Sequence, residues 1–388
     1  MKKKLIGSAV LAGALFMAAA STASAMTAKE QLGHMLYSDK YLSKNHNQSC
    51  MSCHHPAAGW ADPVDAAMPD YYAVSFGSDR SLNGCRNAPP SGYAAFSPIF
   101  DPDLLVGGQF WDGRADTLMD QAKGPFLNPV EMGNADEAAV IAAIADGSNP
   151  RTELYQKLFK KAYGVDLRNI NYNDTALILG LYDMVAEAIG TFEQTNRFTR
   201  FTSKYDYFLA GMATLSDQEA KGLALFEGKA GCNACHPSAA QDNGDGTFTP
   251  PLFTDFTYDN LGVPVNPNWM LTRMDCPTDL GLGGRLGDAN EDGKFKVSSL
   301  RNVEMSAPYS HNGYFATLED IVHFYNTRDD GTWPAPEVAA TVNHIELGNL
   351  GLTAQEEADL VAFLQTLTDG FGDRMPANFV LPPVTPLN

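Results

Sequence analysis

The 388-residue sequence predicts an all-α protein of two domains, and three observations carry that reading. Two pentapeptides, CMSCH at Cys50 to His54 and CNACH at Cys232 to His236, each place two cysteines two residues apart with a histidine directly after. That spacing attaches a c-type haem through two thioethers and offers the histidine as axial ligand. Each motif follows a capping box and an amphipathic helix pattern, opened by Thr27 with Glu30 before the first and by Ser216 with Glu219 before the second. Between them, Asp136 to Gly164 and Thr175 to Gly211 repeat apolar residues at helical spacing, with few β-branched runs. The second half therefore reads as a duplicate of the first: capped helix, Gly-containing turn, haem motif.

Composition sets the domain count. A chain that is 44% hydrophobic and 19% charged can bury one large or two medium cores, and two motifs far apart in sequence favour two. The expected division is a leader at 1–25, a first haem domain at 26–205 and a second at 206–388. The leader reads MKKK, an apolar run from Leu5 to Ala20, then Ala23-Ser24-Ala25, the three-part pattern of a secretory signal cleaved near Ala25. The mature chain is expected to be exported. No later stretch reads as long and apolar enough to span a bilayer. The formal net charge of −19 becomes about −22 once Lys2, Lys3 and Lys4 are removed, which disfavours nucleic acid and anionic lipid as partners and is compatible with a basic protein. A solvated acidic surface without a partner fits the same charge.

Taken in order, the helix from Thr27 places Leu32, Met35 and Leu36 on one face and leads into the first motif. A CxxC zinc or redox site is the competing reading of that motif. It fails because the histidine is immediate in both copies and no second CxxC completes a four-ligand site. From His55 to Pro90 the chain is rich in Gly, Pro, Asn, Asp and Ser, a long loop of the kind that is usually functional. That loop holds no histidine after His55, and the next one in the chain is His236. Phe110 to Met132, FWDGRADTLMDQAKGPFLNPVEM, sets Trp111, Gln121 and Glu131 ten residues apart and reads as the place where the two haems meet.

The region from Gln241 to Gly293 is again loop-rich. Asp288, Asn290, Asp292 and Gly293 match the start of a calcium loop, but Ser299 stands where the bidentate Glu belongs, so a solvated turn is expected. Phe295 to Arg328 predicts a short extended piece, a turn and a helix capped by Thr317. Thr353 with Glu356 opens the closing helix. Of six cysteines, four belong to the motifs. Cys85 and Cys276 remain, either as a disulfide tying the halves together or as two thiols.

At these residues the chain resembles the bacterial di-haem cytochrome c peroxidase and MauG family over nearly its whole length. The resemblance is carried by both CxxCH motifs, RNAP at Arg86 to Pro89, FWDGR, the QAKGP and NPVEM segments, LRNVEMSAPYSHNG at 300–313 and TLEDIVHFYN at 317–326. It implies two cytochrome c-like domains with one covalent haem each, and a calcium ion between them held by the Asn87 side chain and the carbonyls of Ser306 and Pro308. The family usually has Thr at the Ser306 position, a change that a carbonyl ligand tolerates. It further implies that hydrogen peroxide binds at the His54 haem, with Gln121 and Glu131 on its distal side and Glu131 moving a proton between the peroxide oxygens. Trp111 would lie between the haems and carry electrons.

Two positions divide the family. Orthodox peroxidases carry a histidine in the loop after the first haem, and 56–84 has none, so the first haem is expected to be open to peroxide at rest. Orthodox members also use a Met as second ligand of the C-terminal haem, and counting along HNGYFATLEDIVHFY places Tyr325 there, as in MauG. Met305 is the rival ligand and a non-ligating core role for Tyr325 a further one; His323 reads as a helix-surface residue. The resemblance therefore implies a periplasmic MauG-like enzyme that splits peroxide and shares high-valent iron between two haems to oxidise a substrate at a distance, with a protein substrate or a small redox protein donor as partner. The alternative is peroxide detoxification fed by a small cytochrome or cupredoxin, and a purely electron-transferring protein is the non-enzymatic reading. Trp60, Trp269 and Trp333 are candidates for a surface relay.

Overall fold

The computed structural model describes residues 25–388, so the expected leader and its cleavage motif lie almost wholly outside the described residues. The chain opens with α1, Ala28–Ser38, closed at its start by the reciprocal Thr27 and Glu30 bonds of 3.2 and 2.6 Å. A one-turn helix, α2, Cys50–Cys53, carries the first motif, and α3, Pro63–Ala67, capped by Asp62, interrupts the long loop that follows. Then come α4, Leu118–Leu127, α5, Glu137–Ala145, α6, Thr152–Tyr163, and α7, Thr175–Glu193. The stretch expected as one helical region from Asp136 to Gly164 is thus two helices, broken at Gly147 to Pro150, where positive φ at Gly147 and a proline lacking its N–H stop propagation.

The second half starts with α8, Lys204–Leu209, and α9, Asp217–Glu227, each with a complete capping box. Two-residue antiparallel ladders follow: β1, Gln241–Asp242, with β2, Phe248–Thr249, and β3, Tyr258–Asp259, with β4, Phe295–Lys296. Short helices α10, Trp269–Arg273, and α11, Gly281–Leu286, lie between, and α12, Leu318–Thr327, and α13, Ala354–Gln365, complete the fold. Asp288 caps its own turn by accepting from Asn290 N at 3.0 Å, as a solvated turn does.

The duplication is visible as one repeated helix crossing. A Cβ on Gly33 of α1 would sit 1.9 Å from the Ala188 carbonyl oxygen of α7, with Phe192 Cβ at 2.7 Å. A Cβ on Gly222 of α9 would sit 1.9 Å from the Asp359 carbonyl oxygen of α13, with Phe363 Cβ at 2.7 Å. Each glycine lies six residues beyond its N-cap, and only glycine lets the backbones approach so closely. Around these crossings lie two apolar clusters, one spanning Leu32 to Phe198 and the other Tyr205 to Leu367. Fully burying a side chain such as Leu36 or Phe363 contributes about 1.5–3 kcal/mol.

One sequence expectation is corrected here. Helix α7 is long and apolar enough, by length and composition alone, to cross a membrane. Among the described residues it is the core helix of the first cluster, packed against α1, α4 and α5, with half of its most apolar window buried.

Among the connections that join the halves are a disulfide, an ion-pair network and the C-terminal tail. Cys85 and Cys276 form a disulfide across 191 residues, with Cα atoms 5.7 Å apart. Arg86 pairs with Asp279 at 2.6 Å and with Asp112 at 2.7 Å. The C-terminal tail returns to the first half, where Thr385 N donates to Ala95 O at 2.9 Å and its carbonyl accepts from Gln194 Nε2 at 2.8 Å.

Candidate active site

Both CxxCH segments fold into the same local turn. His54 N donates to Cys50 O at 2.9 Å, and His236 N donates to Cys232 O at 3.0 Å. All four motif cysteines are free of disulfides, so each pair of thiols is available for thioether bonds. Each imidazole is tied by Nδ1 to a backbone carbonyl, His54 to Trp60 at 3.3 Å and His236 to Phe253 at 2.7 Å. Among the described residues neither Nε2 has a hydrogen-bond partner. Burial pushes both rings below the usual imidazole range, which keeps them neutral, the form that ligates iron. Four free thiols and two oriented neutral imidazoles fit two covalent haems.

The 110–132 segment is fixed before it reaches the first motif. Arg114 stacks 3.7 Å over the Phe110 ring and bonds Asp112 at 2.9 Å, while Thr117 caps α4 through Asp120 N. After α4 the chain doubles back: Met132 N donates to Pro125 O, and Glu131 is clamped by its backbone between Asn128 O at 3.0 Å and Ser78 N at 2.6 Å. The clamp places the Glu131 carboxyl near enough to Cys50 and Cys53 for its charge to act on both thiols. Burial raises this carboxyl above the ordinary range, opposed by Arg114 and the Asn128 side chain. Gln121 is half-buried on α4, and among the described residues no hydrogen bond joins its amide to Glu131 or to any other group.

Trp111 belongs to the other side. Its indole N–H donates to Asn87 O at 2.8 Å and its carbonyl accepts from Lys296 N at 2.8 Å, so it is gripped by one residue from each half. It lines a cavity of about 240 Å³ together with His236, Tyr325, Asn87, Ser306 and Pro308. His54, Gln121 and Glu131 do not line this cavity. Of the residues singled out in the sequence, Trp111, Asn87, Ser306, Pro308, His236 and Tyr325 meet at one cavity, and His54, Gln121 and Glu131 lie outside it.

Tyr325 projects from α12 into the cavity that holds His236. Its hydroxyl has no hydrogen-bond partner among the described residues, and burial holds its pKa well above the phenol range. The rival Met305 is not part of the cavity wall and packs towards Gly59, where an added Cβ would lie 3.3 Å from Met305 Cβ. His323 is half exposed and paired with Glu357 at 3.0 Å, as a helix-surface histidine would be.

For the cation expected at Asn87, Ser306 and Pro308, the donor set is suitable. Asn87 Nδ2 donates to Ala73 O at 3.0 Å, and among the described residues neither Asn87 Oδ1 nor the two carbonyl oxygens accepts a hydrogen bond. Three neutral oxygens without donors suit a hard cation.

The three tryptophans separate. Trp60 is buried, stacks on Phe198 at 3.8 Å and supplies the carbonyl that holds His54, so it is not a surface residue. Trp333 packs on Phe324 at the edge of the second core, and Trp269 alone is exposed, beside Tyr71. Two polar residues of the site escaped the sequence reading, Asp279 and Lys296, because they meet Arg86 and Gly108 only across the seam.

A family model described as di-haem cytochrome c peroxidase matches residues 27–214. The methylamine utilization protein MauG of Paracoccus denitrificans is 37% identical over 384 residues, covering 92% of this chain and 93% of that protein. The cytochrome c551 peroxidase of Nitrosomonas europaea is 32% identical, covering 92% and 84%. The crystal structure of the diheme peroxidase BthA from Burkholderia thailandensis superposes with a TM-score of 0.75 at 30% identity, covering 91% of this chain and 88% of that one.

Proposed function

The chain belongs to the di-haem cytochrome c peroxidase and MauG family and is a di-haem peroxidase with two c-type haems; from that premise we propose that it is an exported enzyme of the MauG-like kind. It reacts with hydrogen peroxide on the His54 side and spends the oxidising equivalents on a protein substrate at a distance. The single observation that carries this reading is Tyr325, whose unpartnered hydroxyl shares one cavity with His236. A phenolate is a hard anionic ligand that favours ferric iron and lowers the potential, which suits storage of oxidising power better than receipt of electrons from a cytochrome.

When bound, the haems would supply the redox-active iron for peroxide reduction. His54 and His236 would hold it, their rings oriented by the Trp60 and Phe253 carbonyls. Glu131 takes the first proton of peroxide and returns it to the leaving oxygen, a task for which a burial-raised carboxyl is suited. Gln121, its amide unspent on the protein, orients the peroxide. Trp111 is the electron path between the halves, and Asn87, Ser306 and Pro308 hold a calcium ion beside it. The two clusters support two haem domains. Because α8 spans position 205 and Tyr205 packs in the second cluster, we place the boundary just before the Ser203 cap.

Electron paramagnetic resonance of the resting holoprotein tests the proposal. One high-spin and one low-spin ferric signal are expected, with the low-spin signal replaced in Tyr325→Phe. An unchanged low-spin signal in that variant excludes the ligand role. Rapid steady turnover with a reduced small cytochrome would instead favour peroxide detoxification, the activity named for the Nitrosomonas relative.

A further inference from the structure

Strand β4 places one cation where no anion answers it. Lys296 lines the His236 cavity, and its ammonium donates to the Gly108 carbonyl of the first half at 2.6 Å. Among the described residues it has no salt-bridge partner. The acid whose charge acts on it, Asp112, is committed to Arg86 at 2.7 Å and Arg114 at 2.9 Å. Burial pushes the ammonium down to about 8, so the site as folded strains to keep its charge. A cation held this way, facing a cavity, needs a carboxylate from whatever fills the cavity.

The remaining charges of the cavity wall point the same way. Asp259 and Glu346 cluster with Cys235, their ligand atoms within 4.8 Å of one another. Asp279 is paired to Arg86 at 2.6 Å, and Glu337 stands 3.5 Å from His311. Beside Lys296, Phe295 stacks flat on His311 at 3.7 Å, and the buried His311 Nε2 makes no hydrogen bond. The Asp259 and Glu346 carboxylates at the cysteine edge have no salt-bridge partner among the described residues, while on the Lys296 and His311 wall Asp279 is answered by Arg86, Glu337 stands beside His311, and Lys296 is left without an anion of its own. In a c-type haem the thioether carbons and the two propionates occupy opposite edges of the ring, so this charge distribution matches the group.

We propose that Lys296 is the docking group for a propionate of the second haem, and that through its own backbone bond to Trp111 it couples that haem edge to the bridging tryptophan. Lys296 is a positioning residue in this role. It holds in place the propionate edge that the thioether bonds would turn towards it, and its charge beside the carboxylate makes ferric iron less favourable there.

The test uses the assembled holoprotein and three variants, Lys296→Met, Lys296→Arg and, as a control on a lysine paired with Glu291, Lys294→Met. Resonance Raman reads the propionate-bending bands, and spectroelectrochemistry reads the midpoint of each haem. Lys296→Met is expected to shift one propionate band and to lower the midpoint of the low-spin haem, with its g-values unchanged. Lys296→Arg and Lys294→Met are expected to keep both. If Lys296→Met leaves the bands and both midpoints at wild-type values, Lys296 merely anchors Gly108 and the proposal is wrong. Should Lys296→Met fail to incorporate haem, Lys296→Gln, which still donates to Gly108, reads the same two quantities. None of these readouts uses peroxide, so loss of the MauG-like reading would leave them standing.

Discussion

At the residue scale the informative groups are those whose charge state the fold has moved. Glu131 is raised by burial, so the form that accepts a proton from peroxide is lost as pH falls through a pKa higher than that of an ordinary carboxylate. Stopped-flow mixing with peroxide is expected to show the rate declining towards acid from that raised value, and Glu131→Gln is expected to slow it about 10²- to 10⁴-fold above that pKa and by less below it. A rate in Glu131→Gln equal to wild type would remove its acid/base role. Two other carboxyls report on stability. Burial raises Glu193 and Asp65 to about 8, well above the ordinary carboxylate range, with Asp62 adding to the effect on Asp65. The folded state therefore holds these protons more tightly than the unfolded chain does. Their stabilisation is full below about pH 4 and is lost as pH rises through about 8. Thermal unfolding midpoints should fall between about pH 4 and 8 and level off above that, and Glu193→Gln should flatten the decline. Glu131 and Tyr325 were legible in sequence because each sits in a motif. Glu193 and Lys296 were not, since a lone acid in a helix or a lone lysine in FKVSS looks like an ordinary solvated residue.

At the element scale the fold rests on one device used twice, a capped helix crossing the last helix of its half at a glycine. The capping boxes at Thr27, Ser216, Thr317 and Thr353 were readable because side-chain oxygen and acid lie three residues apart on one turn. The crossings were not, because Gly33 and Gly222 look in sequence like weak points in helices. Gly222→Ala would drive a methyl to 1.9 Å from the Asp359 oxygen, a backbone atom that cannot swing away. A loss of about 3 kcal/mol or more is expected, seen as a lower denaturation midpoint, whereas Gly180→Ala, with open space around it, should be neutral or better. Equal stability of the two variants would mean that α9 and α13 do not cross here.

At the scale of the whole molecule two apolar cores are held together by polar and covalent links. The Cys85–Cys276 bond closes a loop of 191 residues, and its removal by Cys85→Ser with Cys276→Ser is expected to cost about 2–5 kcal/mol. Calorimetry should then resolve two transitions in place of one; a single unshifted transition would show that Arg86 and the C-terminal tail suffice. The sequence alone determined that the chain is helical and twofold in plan and that each half carries one haem-attachment motif, because attachment spacing, caps and helical periodicity are local properties. It left open whether the two spare cysteines meet, and it misjudged Trp60 as a surface candidate and α7 as too short of apolar length. Only the tertiary structure decided that Tyr325 and Trp111 share one cavity while Glu131 and Gln121 stand outside it, and that Lys296 faces that cavity without an anion. Those facts depend on groups from both halves meeting across the seam, and no local pattern encodes a meeting between residues nearly 190 positions apart.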